Sequence, residues 1–136
     1  MTDTIVVETF VPASPDQAWD AFTTPTEITQ WNHSAPDWHC PSATVELRVG
    51  GKYAARMEAR DGSFGFDFEG TYEEVDAPNA ITLRLDDGRR ARTTFVAESD
   101  GTRVTTTFDP EAGNPVEMQR AGWQAILNSF AAYAMR

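Results

Sequence analysis

Apolar and polar residues alternate with a period of two through most of the chain, and the period lengthens to three or four only near the two ends. Ile5-Val6-Val7-Glu8-Thr9-Phe10-Val11 is rich in β-branched residues and predicts a first strand, broken by Pro12 to Pro15. Ser14, Pro15 and Asp16 suit an N-cap, a first-turn proline and an acidic first turn. A helix is expected over about Pro15 to Phe22, with Ala18, Trp19 and Phe22 on one face. Thr24-Pro25 interrupts it, and Thr26 to Trp31 reads as a second short helix. Both are too short to stand alone and need a sheet to lean on.

Asn32 to Ser42 carries two prolines and no clear period, and reads as a loop. Strands are then expected over Thr44 to Val49, Lys52 to Arg60, Phe64 to Val75, Ala80 to Leu85, Arg90 to Ala97 and Thr102 to Phe108. In the second of these, Tyr53, Ala55, Met57 and Ala59 share one face, and Lys52, Arg56 and Glu58 the other. Phe66, Phe68, Gly70 and Tyr72 share one parity, as do Ile81, Leu83 and Leu85. The pairs Asp61-Gly62, Asp87-Gly88 and Asp100-Gly101 mark tight hairpins, which force antiparallel neighbours.

Asp109 to Pro115 reads as a linker, and Asn114-Pro115 as the N-cap and first residue of a last helix running to Arg136. Val116, Trp123, Leu127, Phe130 and Ala134 form its apolar stripe. At 1.5 Å per residue it spans about 33 Å, enough to cross the sheet. A half-wet antiparallel sheet under one long helix is an α+β arrangement. The order of elements can wrap an apolar cavity, and four tryptophans along the chain (Trp19, Trp31, Trp38 and Trp123) are of the kind that line one.

Composition narrows the functions. The 136 residues suit one domain, residues 1–136, with a single core. The formal net charge of −10 disfavours nucleic acid and anionic membrane surfaces as partners. No apolar run approaches the length of a membrane span, and Met1 to Ile5 shows no signal-peptide pattern, so a cytoplasmic protein is expected. Cys40 is the single cysteine, which precludes an intrachain disulfide. Neither a dinucleotide or phosphate loop nor a serine elbow is present, and no cofactor is expected.

Several segments carry a family resemblance. They are Pro12-Ala13-Ser14-Pro15-Asp16-Gln17-Ala18-Trp19, Thr24-Pro25 through Trp31, Val49-Gly50-Gly51-Lys52-Tyr53, Phe68-Glu69-Gly70-Thr71-Tyr72-Glu73-Glu74-Val75, Gly101-Thr102-Arg103-Val104, and Gly122-Trp123 with Leu127. In this order they resemble the START-like (SRPBCC) superfamily with its helix-grip fold. Within it, the chain is similar to homologues of the heat-shock-protein-90 ATPase activator C-terminal domain, which shade into polyketide-cyclase-like proteins. The resemblance implies a curved antiparallel sheet of six to seven strands around a long C-terminal helix, with two short helices after the first strand. It also implies a cavity between sheet and helix, with Trp31 and Trp123 near its mouth or wall. It supplies no catalytic residue.

The expected apolar wall is Trp31, Trp38, Tyr53, Met57, Phe66, Phe68, Trp123 and Leu127, with Phe95 and Ile126 completing the ligand-binding set. His33 and His39 are expected to offer polar contacts at the mouth, since histidine works near neutral pH. Phe66, Phe68, Tyr72, Phe95, Trp123, Ile126, Leu127 and Phe130 are the expected core. His33, Asp37, His39 and Cys40 are metal-capable donors, but their spacing fits no zinc signature, and no metal is expected. Arg56, Glu58, Asp67 and Glu69 read as charge pairs on the wet face. The leading reading is a binder of a small hydrophobic, aromatic or polycyclic molecule. A cofactor-independent cyclase, dehydratase or lyase using a histidine or carboxylate is the second, and a chaperone-associated protein, from the resemblance, the third. An exposed apolar helix face would also suit a homodimer.

Overall fold

The computed structural model describes residues 4–134. Seven strands form one antiparallel sheet: β1 (Ile5–Val11), β2 (Trp38–Val45), β3 (Lys52–Ala59), β4 (Gly65–Asp76), β5 (Ala80–Leu85), β6 (Arg90–Glu98) and β7 (Gly101–Phe108). Two short helices, α1 (Pro15–Thr23) and α2 (Pro25–Trp31), follow β1, and α3 (Val116–Ala134) ends the described chain. The strand order is β1-β7-β6-β5-β4-β3-β2, a meander whose one non-sequential step places β1 beside β7. This is the expected α+β helix-grip architecture. None of the described helices is long and apolar enough to cross a membrane.

Local chemistry explains most boundaries. Ser14 Oγ accepts from Gln17 N at 3.2 Å, and Gln17 Oε1 accepts from Ser14 N at 3.2 Å, a reciprocal capping box that starts α1. Pro25 then occupies the first turn of α2, so the chain turns between two helices. The last helix begins one residue later than expected. Pro115 O accepts from Gln119 N at 3.2 Å, while the Gln119 side chain ties back to Glu111 and to Asn114 O. Asn114 is thereby held in the loop. Val116, expected on the apolar stripe, is exposed, and Met135 and Arg136 lie outside the described residues.

The larger departure is at the sheet edge. The segment expected to be a loop to Ser42 is strand from Trp38 onward, and the strand expected over Thr44 to Val49 ends at Val45. Trp38 pairs with Ala59 and His39 with Glu58, after which the register shifts before Ser42 pairs with Arg56. Pro41 lies in that irregularity, on an edge strand where a missing N–H is tolerated. Residues 46–51 instead form a turn bonded to the adjoining strands: Gly50 N donates to Tyr72 O at 2.8 Å, and Tyr72 N to Gly51 O at 2.9 Å. Gly50 has φ +84°, and a Cβ on Gly51 would sit 2.0 Å from Glu46 O, so this tight turn needs both glycines.

The core lies toward one end of the sheet. Phe130 is fully buried, with its ring 5.3 Å from Phe22 and 5.1 Å from Trp31. Phe22 stacks on Trp31 at 5.4 Å, and Phe95 meets Trp19 and Phe22 edge-on at 5.4 and 5.5 Å. This cluster locks α1, α2 and the last turns of α3 over β6, with Ile5, Val11 and Val104 beneath. Over this end the single long helix covers the sheet, packing against β1, α1 and α2.

A half-open cavity between sheet and last helix

The first two turns of α3 are not held in the same way. Val116 and Met118 are exposed, and only from Trp123 onward does the helix bury its apolar face. Trp123 stacks flat on Phe108, centroids 4.0 Å apart, and meets Phe68 edge-on at 6.2 Å. The inner faces of β3, β4 and β5 therefore look across a gap toward α3. The gap is a cavity of about 780 Å3. One helix cannot cover seven strands of a curled sheet, and the uncovered inner face is the wall.

Eight of the expected ligand-contact residues line it: Trp31, Tyr53, Met57, Phe66, Phe68, Trp123, Ile126 and Leu127. Strand parity places the middle four and α3 the last three. Phe66, expected in the core, is instead 42% exposed at the mouth. Phe22, Ile81, Leu83 and Leu85 extend the apolar wall, and their strand or helix parity was the available signal.

Four expected residues lie off this wall. Phe95 is buried beneath α1, where the Trp19 and Phe22 rings fill the space above it. His39 alternates with Trp38 along β2 and faces outward, its Nε2 3.7 Å from Glu58 Oε1. Trp38 packs on Phe64 and Phe66 at 6.0 and 6.1 Å. His33 is half-buried just past α2, its N–H bonded to Trp31 O. His39 and Cys40 thus point to opposite sides of one strand. Cys40 is buried against Asn32 Nδ2 and Ser42 O, and burial pushes its thiol pKa up. Among the described residues no three His, Cys, Asp or Glu side chains are grouped to hold a metal. On the outer face Arg56 bonds Glu58 of its own strand at 2.9 Å and, across to β4, Asp67 at 3.4 Å, the latter being the expected cross-strand pairing.

The cavity's polar groups fall into two sets. Deep inside, Thr93 and Thr106 satisfy each other at 2.8 Å, and Thr23 Oγ1 donates to Trp19 O at 2.8 Å. Asn32 Nδ2 donates to Tyr53 Oη at 3.5 Å, and Tyr72 lies beside Tyr53, ring centroids 6.2 Å apart. Burial raises the pKa of both phenols, and at Tyr53 the neighbouring Tyr72 and Cys40 add to the rise, so both stay protonated. At the mouth stand Asp86, Asp87 and Glu111, with Arg89 bonded to Asp87 at 2.7 Å, while Asp67 and Glu69 border the cavity from β4, Asp67 being bonded to the outward Arg56. The chemistry on offer is therefore an apolar slot with neutral hydroxyl donors inside and a negative rim.

The AHSA1-like protein from Aeromonas hydrophila is similar to this chain at 40% identity, with a TM-score of 0.91 over 96% of this chain and 91% of that one. A protein from Cytophaga hutchinsonii is also 40% identical, with a TM-score of 0.80 over 97% and 90%. CalU16 from Micromonospora echinospora shares the fold at 18% identity, with a TM-score of 0.73 over 96% and 75%. No curated protein matches the sequence. The family model described as Activator of Hsp90 ATPase homolog 1-like protein matches residues 12–135. The chain belongs to the Activator of Hsp90 ATPase homolog 1-like family, whose fold is compatible with holding a ligand in a cavity.

Proposed function

We propose that the protein binds a small hydrophobic molecule, aromatic or polycyclic, between the inner face of β3–β5 and α3. The observation that carries this reading is the cavity of about 780 Å3 whose wall includes Trp31, Phe68, Tyr72 and Trp123. A volume of several hundred Å3 accommodates a ligand of two to four fused rings, and flat aromatic walls favour flat aromatic guests. The paired threonines fit the same reading, because one hydroxyl donates to the other and only one O–H proton remains on that part of the wall.

Neither histidine lines the cavity, so no observation favours proton transfer by His33 or His39 over simple binding. A chaperone partner would read the outer surface, and the negative rim and charge of −10 make nucleic acid an unsuitable partner. The test is native mass spectrometry of the purified protein, with denaturing extraction of any bound compound. A discrete co-purifying aromatic compound, or saturable one-to-one uptake of added fluorene, is the expected result. No retained compound together with no uptake of fluorene contradicts the reading.

A further inference from the structure

Tyr72 sits in the middle of β4, its residue only 4% exposed. Its backbone is fixed on both sides, by Gly50 and Gly51 on one and by pairing with Leu83 on the other. Its side chain is on the cavity wall, yet its hydroxyl has no hydrogen-bond partner among the described residues. No fully buried side-chain oxygen or nitrogen among the described residues lacks a partner, so the Tyr72 hydroxyl opens on the cavity. A hydroxyl that opens on a cavity is available to water or to a ligand. Tyr53 stands beside it. Its oxygen accepts from Asn32, which orients the phenol and leaves its own O–H proton unspent. Two phenols on rigid, adjacent strands thus line the same wall, their rings 6.2 Å apart, amid a mostly apolar lining.

Two phenol donors call for an acceptor, and the charge around them says which kind. Five carboxylates border the cavity, Asp67 paired on its outer side with Arg56 and Asp87 with Arg89, the one arginine of the lining. A carboxylate or phosphate ligand would meet that field with no free cation inside. A neutral carbonyl accepts both protons without carrying charge. A hydrocarbon of the same shape would strip water from the two hydroxyls and return nothing. We propose that the cavity selects a neutral, planar aromatic ketone, with the hydroxyls of Tyr72 and Tyr53 as the donors that hold its carbonyl oxygen. This rests on the cavity being a ligand site, and it names the class of ligand and the atoms that choose it.

The test compares 9-fluorenone with fluorene, which differs by the carbonyl, on the full chain. Tyr72→Phe removes an oxygen that bonds nothing in the protein, so folding is retained. The expected result is a roughly three- to tenfold loss of fluorenone affinity in Tyr72→Phe, with fluorene affinity not lowered, since the hydrocarbon no longer strips water from that hydroxyl. The carbonyl stretch of bound fluorenone is expected at lower frequency in the native protein than in the variant. Tyr53→Phe/Tyr72→Phe is expected to bind the two probes with the same ratio as their partition into hydrocarbon. Fluorenone bearing a carboxylate is expected to bind more weakly than fluorenone itself. Equal loss of both probes in Tyr72→Phe, no loss of either, or tighter binding of the carboxylate would overturn the proposal while leaving an apolar ligand site standing. Failure of both probes to bind the native protein would overturn the ligand site as well.

Discussion

Side chains of the same chemical type end up in different roles here because of what faces them. Phe130 and Phe68 are both aromatic and both turned inward, but Phe130 has Phe22 and Trp31 against its ring, whereas Phe68 has Trp123 on one edge and open cavity beside it. The sequence pattern marks both as inward and does not distinguish a packed site from an empty one, because hydrophobicity reports the face and not what lies opposite. This is why Phe95, expected both in the core and at the ligand, lies in the core alone, and why Tyr72, expected in the core, is buried there and also borders the cavity. The difference is measurable. Phe130→Ala empties a fully packed site and is expected to cost about 3–5 kcal/mol in urea unfolding. A loss below about 1 kcal/mol would show that this end of the sheet is not the stabilising core.

Strand pairing determines which of the chain's polar residues reach the cavity. Alternation along β3 was legible because one face is buried: Tyr53 and Met57 go in, Arg56 and Glu58 out. The edge strand β2 was not legible. Its pairing with β3 is made across the irregular turn at 46–51, and Pro41 at the register shift mimics a loop signal. Missing that strand also misplaced His39, since adjacent residues of a strand point to opposite faces. Beyond the edge, the outer face is tied together by carboxylates that reach across strands. Glu74 on β4 bonds Arg92 of β6 at 2.9 Å and Thr82 of β5 at 2.8 Å, which holds its pKa below the ordinary value of 4.5. A depressed carboxylate stabilises the fold above its unfolded pKa, and that contribution fades as pH falls through the folded value. Glu74→Gln is therefore expected to be less stable than the native protein at pH 7. The gap should narrow below pH 4.5 in denaturant titrations and close in stronger acid. A gap that stays constant from pH 7 to pH 2 would contradict the cross-strand role.

The molecule as a whole has one long helix over seven strands. The core forms where α1, α2 and the end of α3 converge, and the remaining inner face is lined but not filled. The order of elements, read together with the spacing of the hairpins, was sufficient to expect this architecture and a cavity in it. Its position could not be read in the same way, because it depends on where α3 leaves the sheet. That point is set by Trp123 stacking on Phe108 and by the Gln119 side chain closing the loop at 111–114, contacts between residues whose pairing no local period encodes. The proposed ligand site is accordingly the gap between β3–β5 and the first half of α3. The most direct measurement is an amide and side-chain NMR titration of the full chain with fluorene. Saturable one-to-one shifts confined to the cavity wall, at Trp31, Phe68, Tyr72, Trp123 and Leu127, with Arg56 and Glu58 on the outer face unmoved, are the result the account requires. Absence of saturable shifts, or shifts centred on the outer face of the sheet, would contradict it.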